Sequence, residues 1–232
     1  MMRVSFAVRS ALAATTGLGL AAVSASAAVI VSDGTFAETD WTFVSRPYGP
    51  GGGSGSAGQV LTGGAGDNGA ARQTSNTAGP NGSGSYNASI FTAFSYNPSV
   101  GGAISDLSIS IDARFINGLS AVGAVVEQDG LIWLTGNAIN TSTWQTYTFT
   151  PGAGDWFLIN AGGSASGPGP NFSATGTAMR FGFFTGNGTS PGGVTYTNHG
   201  LNDNFVVRFV PTPSAAALLG LSGLLAARRR MG

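Results

Sequence analysis

The sequence predicts an all-β protein, a single antiparallel β-sandwich of jelly-roll type with a short apolar helix at each end of the chain. Several short segments alternate apolar and polar residues with a period of two. Glycine is frequent, at 38 of 232 residues. Between the two terminal segments there is no amphipathic helical pattern of ten or more residues. Many short strands joined by Gly, Pro and Asn turns are typical of sandwiches.

The strand predictions come from individual segments. Residues 106–115 alternate as a half-buried strand does. Residues 125–128 and 131–134 flank Asp129-Gly130, which suits the positive φ values of a type I′ hairpin turn. Further strands are expected at 90–96, 144–150, 179–185 and 204–210. The Gly-, Ser- and Asn-rich stretches 49–69, 76–85, 162–170 and 186–193 are predicted to be mobile loops.

The composition excludes several classes of function. Charged residues make up 9% of the chain, against about 25% in a typical protein. Five of the ten Arg lie in the terminal segments, so the middle carries five Arg against ten acids, a net charge of −5. A mildly acidic surface repels phosphate backbones, which argues against a nucleic-acid partner. The absence of Cys excludes disulfides, thiolate metal sites and cysteine nucleophiles.

Residues 1–28 have the pattern of a secretory signal peptide, so the N-terminal helix is predicted to be a signal helix. Arg3 and Arg9 form the positive region, and residues 11–23 form the apolar region. Ala25-Ser26-Ala27 then supplies a cleavage site between small residues, which leaves Ala28 near the start of the mature chain. The expected partners of this segment are the Sec machinery and signal peptidase.

The C-terminal segment also reads as a membrane address. Pro211-Thr212-Pro213 is followed by an apolar stretch at 214–227 and then by Arg228, Arg229 and Arg230. As a helix this stretch spans about 21 Å at ~1.5 Å per residue, short of a hydrocarbon core of about 30 Å. The three Arg argue against burial in a protein core, and the positive-inside rule places them in the cytoplasm. The middle domain is then outside.

Residues 210–232 resemble the PEP-CTERM sorting tail of bacterial surface proteins, with a Pro-x-Pro motif, a short hydrophobic segment and an Arg cluster. The resemblance implies processing by an exosortase, a membrane cysteine peptidase-transpeptidase. Thr212 stands where the Glu of that motif would be. The predicted organisation is a signal peptide at 1–28, a β-sandwich at 29–209 and a sorting tail at 210–232. The protein is expected to be membrane-anchored transiently and then to reach the cell surface or the extracellular matrix.

The two ends of the middle domain carry a second resemblance. Residues 32–41 are similar to the first strand of galactose-binding-like sandwiches of the carbohydrate-binding-module type, and residues 201–207 are similar to their last strand. The resemblance implies that these two strands pair, and that a structural Ca²⁺ lies near their junction with Asp203 as a ligand. Ala37 stands where those proteins have a Glu directly after Phe36.

No catalytic residue is predicted. His199 is the only His, in an expected loop, and no nucleophile elbow precedes it. Glu127 and Asp129 do not form a convincing glycosidase pair, because Asp129 is explained by its turn. The candidates for stacking on sugar rings are Tyr48, Trp133, Trp144 and Trp156. Trp133 lies in an apolar run that is typical of a core, and Trp156 is expected to be the exposed one.

Two main hypotheses follow. The first is a non-enzymatic β-sandwich of the cell envelope or extracellular matrix. The second is a carbohydrate-binding module that contacts exopolysaccharide or another glycan. A glycan hydrolase is a third reading, and it requires a pair of facing carboxylates.

Overall fold

The computed structural model describes residues 27–65, 69–139, 141–160, 163–165 and 168–212. Both predicted terminal helices lie outside these ranges, together with the cleavage residue Ala25 and with Pro213 and Arg228 to Arg230 of the tail. Ala27 and Ala28 precede the first strand, and Pro211 ends the last strand. No helix in the described ranges is long and apolar enough to cross a membrane.

The described chain is mainly β-strand, with turns and loops between the strands. A 3₁₀ turn lies at Glu38–Asp40 and a one-turn helix, α1, at Pro98–Gly101. The strands are β1 (Val29–Asp33), β2 (Trp41–Tyr48), β3 (Gly53–Val60), β4 (Ala71–Ala78), β5 (Gly84–Tyr96), β6 (Ile104–Asn117), β7 (Ala121–Gln128), β8 (Leu131–Ile139), β9 (Gln145–Phe149), β10 (Phe157–Asn160), β11 (Gly163–Ala165), β12 (Met179–Gly188) and β13 (Tyr196–Pro211).

These strands form two antiparallel sheets, which confirms the predicted fold class. The six-stranded sheet has the order β3-β4-β13-β6-β9, with β1 paired to β13. The seven-stranded sheet has the order β11-β10-β8-β7-β12-β5-β2. Consecutive strands often belong to different sheets, as β1, β2 and β3 do, so the chain crosses repeatedly between the two layers.

The alternating segments become strands as predicted. Strand β6 contains the whole of the 106–115 pattern, and Ile109 and Ile111 are fully buried. The hairpin between β7 and β8 closes with Gln128 opposite Leu131. Its turn residues Asp129 and Gly130 have φ values of 54° and 75°, as a type I′ turn requires.

The prediction of mobile loops is wrong for part of the glycine-rich sequence. Residues 53–60 form strand β3, and the stretch 76–85 contributes to the ends of β4 and β5. A Cβ at Gly55 would overlap the side chain of Asn87 on the other sheet. Glycine at this position therefore allows the close approach of two sheets, a role that composition does not distinguish from flexibility.

The first and last strands pair, as the sequence resemblance predicts, from Val29 opposite Phe209 to Asp33 opposite Phe205. The carboxylate of Asp33 accepts hydrogen bonds from the amide of Phe36 and from Nε1 of Trp41, the latter at 2.7 Å. These bonds hold the turn in which Phe36 has a φ of 51°. The buried first turn of the domain is therefore organised around one carboxylate.

The space between the sheets is divided into two parts. One part, the apolar half, is filled by buried side chains from both sheets: Phe36, Trp41, Phe91, Ile109, Ile111, Val126, Phe181, Phe183, Phe205 and Phe209. The other part, the polar half, is filled by buried polar side chains: Thr74, Asn76, Ser85, Asn87, Ser120, Thr185, Asn198 and Asn202. Strands β5 and β12 run through both parts.

Candidate ligand-binding cavity

The outer face of the seven-stranded sheet carries a second apolar cluster. This outer cluster consists of Ala88, Ile90, Val125, Ile132, Leu134, Ile159 and Phe184, all of them buried. The edge strands β11 and β2 approach within 8 Å at their Cα atoms. The sheet therefore curls around the outer cluster instead of presenting an open face.

Three aromatic rings end the outer cluster on one side. The ring of Tyr86 lies 5.9 Å from that of Phe157 and 6.3 Å from that of Phe184, edge to face in both cases. Tyr86 stands near the beginning of β5 and Phe157 begins β10, whereas Ala88 and Ile159 of the cluster follow them in those strands. The aromatic layer thus lies at the end of the curled sheet.

A cavity of about 360 Å³ opens beyond this aromatic layer. Its walls come from β2, β5, β7, β8, β10, β12 and the beginning of β13. Aromatic rings, two exposed aliphatic side chains, small residues and uncharged polar groups line it, among them Tyr48, Tyr86, Phe157, Tyr196, Leu119, Ile139, Ser120 and Asn187. The volume lies in the lower part of the range of small-molecule sites, about 300–1,000 Å³.

The three tyrosines of the cavity have fixed positions. The rings of Tyr48 and Tyr86 stack with centroids 4.9 Å apart. The hydroxyl of Tyr48 donates to the carbonyl of Asn187 at 3.2 Å, and that of Tyr196 donates to the carbonyl of Gly188 at 3.1 Å. Burial raises the pKa of Tyr48, and the neighbouring Tyr86 and Tyr196 raise it further. Tyr48 is therefore a neutral hydroxyl at physiological pH.

Polar residues of the cavity are held from behind by Asn76. Its Nδ2 donates to Ser120 Oγ at 3.2 Å and to Asn198 Oδ1 at 3.1 Å. Its backbone carbonyl accepts from Nδ2 of Asn187 at 2.9 Å. Asn198 in turn donates to the carbonyl of Leu119 on the rim. The polar half of the core therefore positions three lining residues.

The chemistry of the cavity is uncharged. Among the described residues that line it there is no Asp, Glu, Arg or His. Oδ1 of Asn187 is buried and has no hydrogen-bond partner within the described part of the chain. Aromatic faces beside hydroxyl, amide and carbonyl groups suit a ligand that has apolar faces and many hydroxyl groups. These lining residues offer no acid–base pair for hydrolysis.

The predicted stacking residues have different positions. Tyr48 lies in the wall of the cavity, half-buried. The expectation that Trp156 is exposed is wrong, since only 5% of it is accessible. The centroid of its ring lies 5.9 Å from that of Phe172, in the segment after β11. The same segment also contacts Trp133, whose Nε1 donates to the carbonyl of Pro168. A flanking loop buries this indole, and residues adjacent in sequence do not indicate that.

Asp203, the predicted calcium ligand, lies in β13 close to Asp33 and Asp112. Its two oxygens accept the amides of Asn204 and Ala65, each at 2.7 Å. Burial raises the pKa of Asp203, Asp112 and Asp33 add to the rise, and the two amide hydrogen bonds oppose it. In the described ranges no three His, Cys, Asp or Glu side chains are arranged to hold a metal ion. These carboxylates do not make a calcium site on their own, and calcium binding stays a prediction.

The sequence interpretation missed Tyr86, Tyr196 and Ser120. Tyr86 begins a period-two series that continues with Ala88 and Ile90, and this series faces the outer cluster. The sequence contains this alternation. However, the polar residues of β5 that alternate with the series are buried in the interior, where a pattern analysis expects apolar residues. Tyr196 and Ser120 carry no comparable signal. His199 belongs to strand β13 and not to the expected loop.

No protein-family model matches this chain, and no curated protein has significant sequence similarity to it. Several solved structures are similar. A family 11 carbohydrate-binding module from Clostridium thermocellum, in complex with a β-1,3-1,4-mixed-linked tetrasaccharide, is 16% identical with a TM-score of 0.47, covering 79% of this chain and 96% of that one. The CBM22-1 xylan-binding domain of Paenibacillus barcinonensis Xyn10C is 14% identical with a TM-score of 0.40, covering 82% and 99%. Similarity at this level does not identify a ligand for the present chain.

Proposed function

We propose that this chain is an exported, non-catalytic glycan-binding protein that holds its ligand in the cavity at the end of the seven-stranded sheet. The supporting observation is the combination of Tyr48, Tyr86 and Tyr196 with uncharged polar groups around about 360 Å³. Sugar rings have apolar faces that pack on aromatic rings, and their hydroxyls bond to amides and carbonyls. Exopolysaccharide or another envelope glycan is the expected partner.

The rim residue Tyr196 provides the most direct test. It is 37% exposed, so truncating it should disturb the fold little. Purified residues 28–212 should be screened against a panel of soluble polysaccharides by affinity electrophoresis. Tyr196→Ala should then weaken binding of the retained glycan at least about tenfold, equivalent to about 1.4 kcal/mol.

Trp144→Ala is the matched control. Trp144 is a partly exposed aromatic residue whose ring packs 5.2 Å from the guanidinium of Arg114, and it does not line the cavity. The control should bind as the unchanged protein does. Loss of binding in Trp144→Ala with retention in Tyr196→Ala would move the site elsewhere. Absence of binding to every polysaccharide would favour an envelope or matrix protein without a glycan ligand.

The proposal of a non-catalytic role is supported by the residues that surround the cavity. Glycoside hydrolysis needs two carboxyl groups about 5–9 Å apart across the sugar. The described lining contains neither a carboxylate nor His199. Glu127, considered above as a catalytic acid, instead pairs with Arg180 at 2.6 Å.

We also propose that the chain is exported and that its tail is removed at the Pro211-Thr212-Pro213 motif by an exosortase-like peptidase. Pro211 is the last residue of β13, and the amide of Thr212 donates to the carbonyl of Ala103 at 2.7 Å. The motif therefore starts where the sandwich ends, and cleavage there would leave both sheets complete.

Mass spectrometry of the mature protein from its native cells tests this processing. The protein should begin near Ala28 and lack the peptide that contains Arg228 to Arg230. Because β1 starts at Val29, such a protein retains every described strand and should melt as the 28–212 fragment does. A full-length protein with both termini intact would contradict export and sorting together.

A further inference from the structure

We infer that the cavity recognises the uncharged terminal unit of a glycan chain and not an internal stretch of a polymer. This inference rests on the proposed function of the same cavity. It concerns which part of a glycan enters, and three features of the fold carry it: a filled sheet face, a cavity closed at its inner end, and a lining without charge.

The first feature is that the face of the sheet offers no groove for a polymer. A long chain that binds across a sheet needs an open, concave surface with both ends free. Here that surface is occupied by the protein itself, since Ile90, Val125 and Leu134 at its centre are all buried. The approach of β11 to β2 also brings close together the two edges over which a polymer would enter and leave. An internal segment therefore has no path across this face.

The second feature is that the cavity is closed at its inner end. The contact between Tyr86 and Phe157, 5.9 Å between centroids, separates the cavity from the outer cluster. At the opposite, outer end, Leu119 and Ile139 are 60% and 53% exposed. A ligand therefore enters from the rim and ends against the aromatic layer, which suits a chain end.

The third feature is the absence of charge. Transferring an ionised carboxylate into a site without a cationic partner is strongly unfavourable. Arg46 lies opposite Tyr86 in the pairing of β2 with β5, yet it does not line the cavity. A neutral sugar meets hydroxyl, amide and carbonyl partners instead. The ligand is therefore a neutral terminal sugar and not a uronic acid or a sulfated unit.

Chain length distinguishes terminal from internal recognition. One neutral polysaccharide that binds in the screen should be hydrolysed into fractions of decreasing mean length and titrated by calorimetry. For terminal recognition, halving the mean length doubles the number of protein molecules bound per gram, because it doubles the number of chain ends. The affinity should also reach its limit with oligosaccharides of one to three units.

The outcomes separate the inference from the proposed function. Binding that depends on Tyr196 but shows constant capacity per gram, with affinity rising over many units, would overturn terminal recognition and leave glycan binding intact. Preferential binding of polygalacturonate or alginate, whose units carry carboxylates, would contradict the inference that the ligand is neutral. Binding that is unaffected by Tyr196→Ala, or no binding at all, would remove the proposed function itself.

Ala121→Phe gives an independent test of the same cavity. Ala121 lines it from β7, so a larger side chain there occupies the space of the ligand. Terminal binding should fall at least tenfold while the melting temperature stays close to that of the unchanged protein. Retention of full affinity in a folded Ala121→Phe protein would place the ligand outside the cavity.

Discussion

The apolar half and the polar half of the interlayer core lie between the same two sheets but are stabilised differently. In the apolar half, the rings of Trp41, Phe183 and Phe205 contact one another at centroid distances of 5.1–6.3 Å. In the polar half, Asn76 Oδ1 accepts from Asn87 Nδ2 at 2.6 Å and from Thr185 Oγ1 at 3.1 Å. Packing in the first depends on shape, whereas the second depends on satisfying each donor and acceptor.

The difference matters because only the polar half extends to the cavity. Ser120, Asn187 and Leu119 all line the cavity and all connect to Asn76, directly or through Asn198. Directional bonds fix the orientation of groups that a ligand must meet, and non-directional packing does not. We therefore expect the apolar half to determine stability and the polar half to determine stability and affinity together.

Arg72 marks the boundary between the two halves. It is 99% buried, its guanidinium lies 5.5 Å from the ring of Trp41, and its Nε donates to Ser89 Oγ at 3.0 Å. Burial lowers the pKa of Arg72, and the ion pair with Glu38 at 3.4 Å opposes the shift. This one cation is accommodated because an aromatic face, a hydroxyl and a carboxylate surround it.

The largest effect is expected from Phe183→Ala in the apolar half. Phe183 is fully buried against Trp41 and Phe205, so the change should lower the free energy of unfolding by about 3–5 kcal/mol. Phe183→Leu, which conserves most of the volume, should lose less than about 1.5 kcal/mol. Denaturant titration measures both. Glycan affinity of the folded fraction should not change, and a parallel loss of affinity would erase the distinction between the halves.

Asn76→Ala should have the next largest effect on stability and should also weaken glycan binding. It removes the side-chain hydrogen bonds that Asn76 makes with Asn87, Thr185 and Asn198, which costs about 2–3 kcal/mol. Thr77→Ala, on the same strand with its exposed hydroxyl 2.8 Å from that of Thr197, is the control and should change neither quantity. Denaturation and calorimetry give both readouts. If Asn76→Ala loses stability but keeps full affinity, Asn76 has no positioning role.

Asp33 tests how a charge is tolerated beside the apolar half. Burial acts to raise its pKa, but the hydrogen bonds from Trp41, Thr35 and Phe36 outweigh burial and hold the pKa below its usual value. Because the folded-state pKa is lowered, this stabilisation is present above pH about 4 and is lost as the pH falls through the folded-state pKa. Asp33→Asn should lose about 1–2 kcal/mol at neutral pH and show less acid sensitivity in melts between pH 7 and pH 2.

Asp203→Asn is the counterpart with the opposite sign. The folded-state pKa of Asp203 is raised, so its contribution to stability is present at low pH and is lost as the pH rises through that value. In the unchanged protein, the ionisation of Asp203 lowers the free energy of unfolding between pH 3 and pH 7. Asp203→Asn removes this ionisation, so the free energy of unfolding of the variant should fall less over the same range. An identical pH profile for both variants would contradict the assigned environments.

The smallest effect is expected from Tyr48→Phe at the cavity wall. It removes one hydroxyl that donates to the carbonyl of Asn187, which should lower the free energy of unfolding by about 0.5–1 kcal/mol. The ring stays stacked on Tyr86. Affinity should fall less than threefold, since the aromatic surface is retained. A loss as large as that of Tyr196→Ala would mean that the hydroxyl, and not the ring, contacts the ligand.

Strand prediction succeeded where one face of a strand is apolar and the other polar. Strand β6 and the β7–β8 hairpin were identifiable because Ile109 and Ile111 point into the apolar half, while the Asp129-Gly130 turn has its own chemistry. It left out β2, β4, β10 and β11. It also failed for β3 and for the beginning of β5. There the interior is polar and close-packed, so Gly55 and Asn87 occupy positions at which a pattern analysis expects apolar residues.

The structure places Tyr48 in the cavity wall, where its stacking role stays a prediction, and it buries Trp156, which was expected to be exposed. Both are aromatic residues near Gly and Pro, so their local sequences are equivalent. Whether each ring is exposed depends on segments elsewhere in the chain. Residues 168–172 cover the ring of Trp156.

The sequence by itself determined the all-β class and the Asp-Gly hairpin, because both follow from patterns of residues close together in the chain. The pairing of the first and last strands was implied only by the family resemblance of residues 32–41 and 201–207. Only the tertiary structure decided that the seven-stranded sheet curls over its own apolar face, that Asn76 supports the cavity, and that Tyr48, Tyr86 and Tyr196 meet. These residues come from different strands, and their contacts depend on how both sheets pack, which no local pattern encodes.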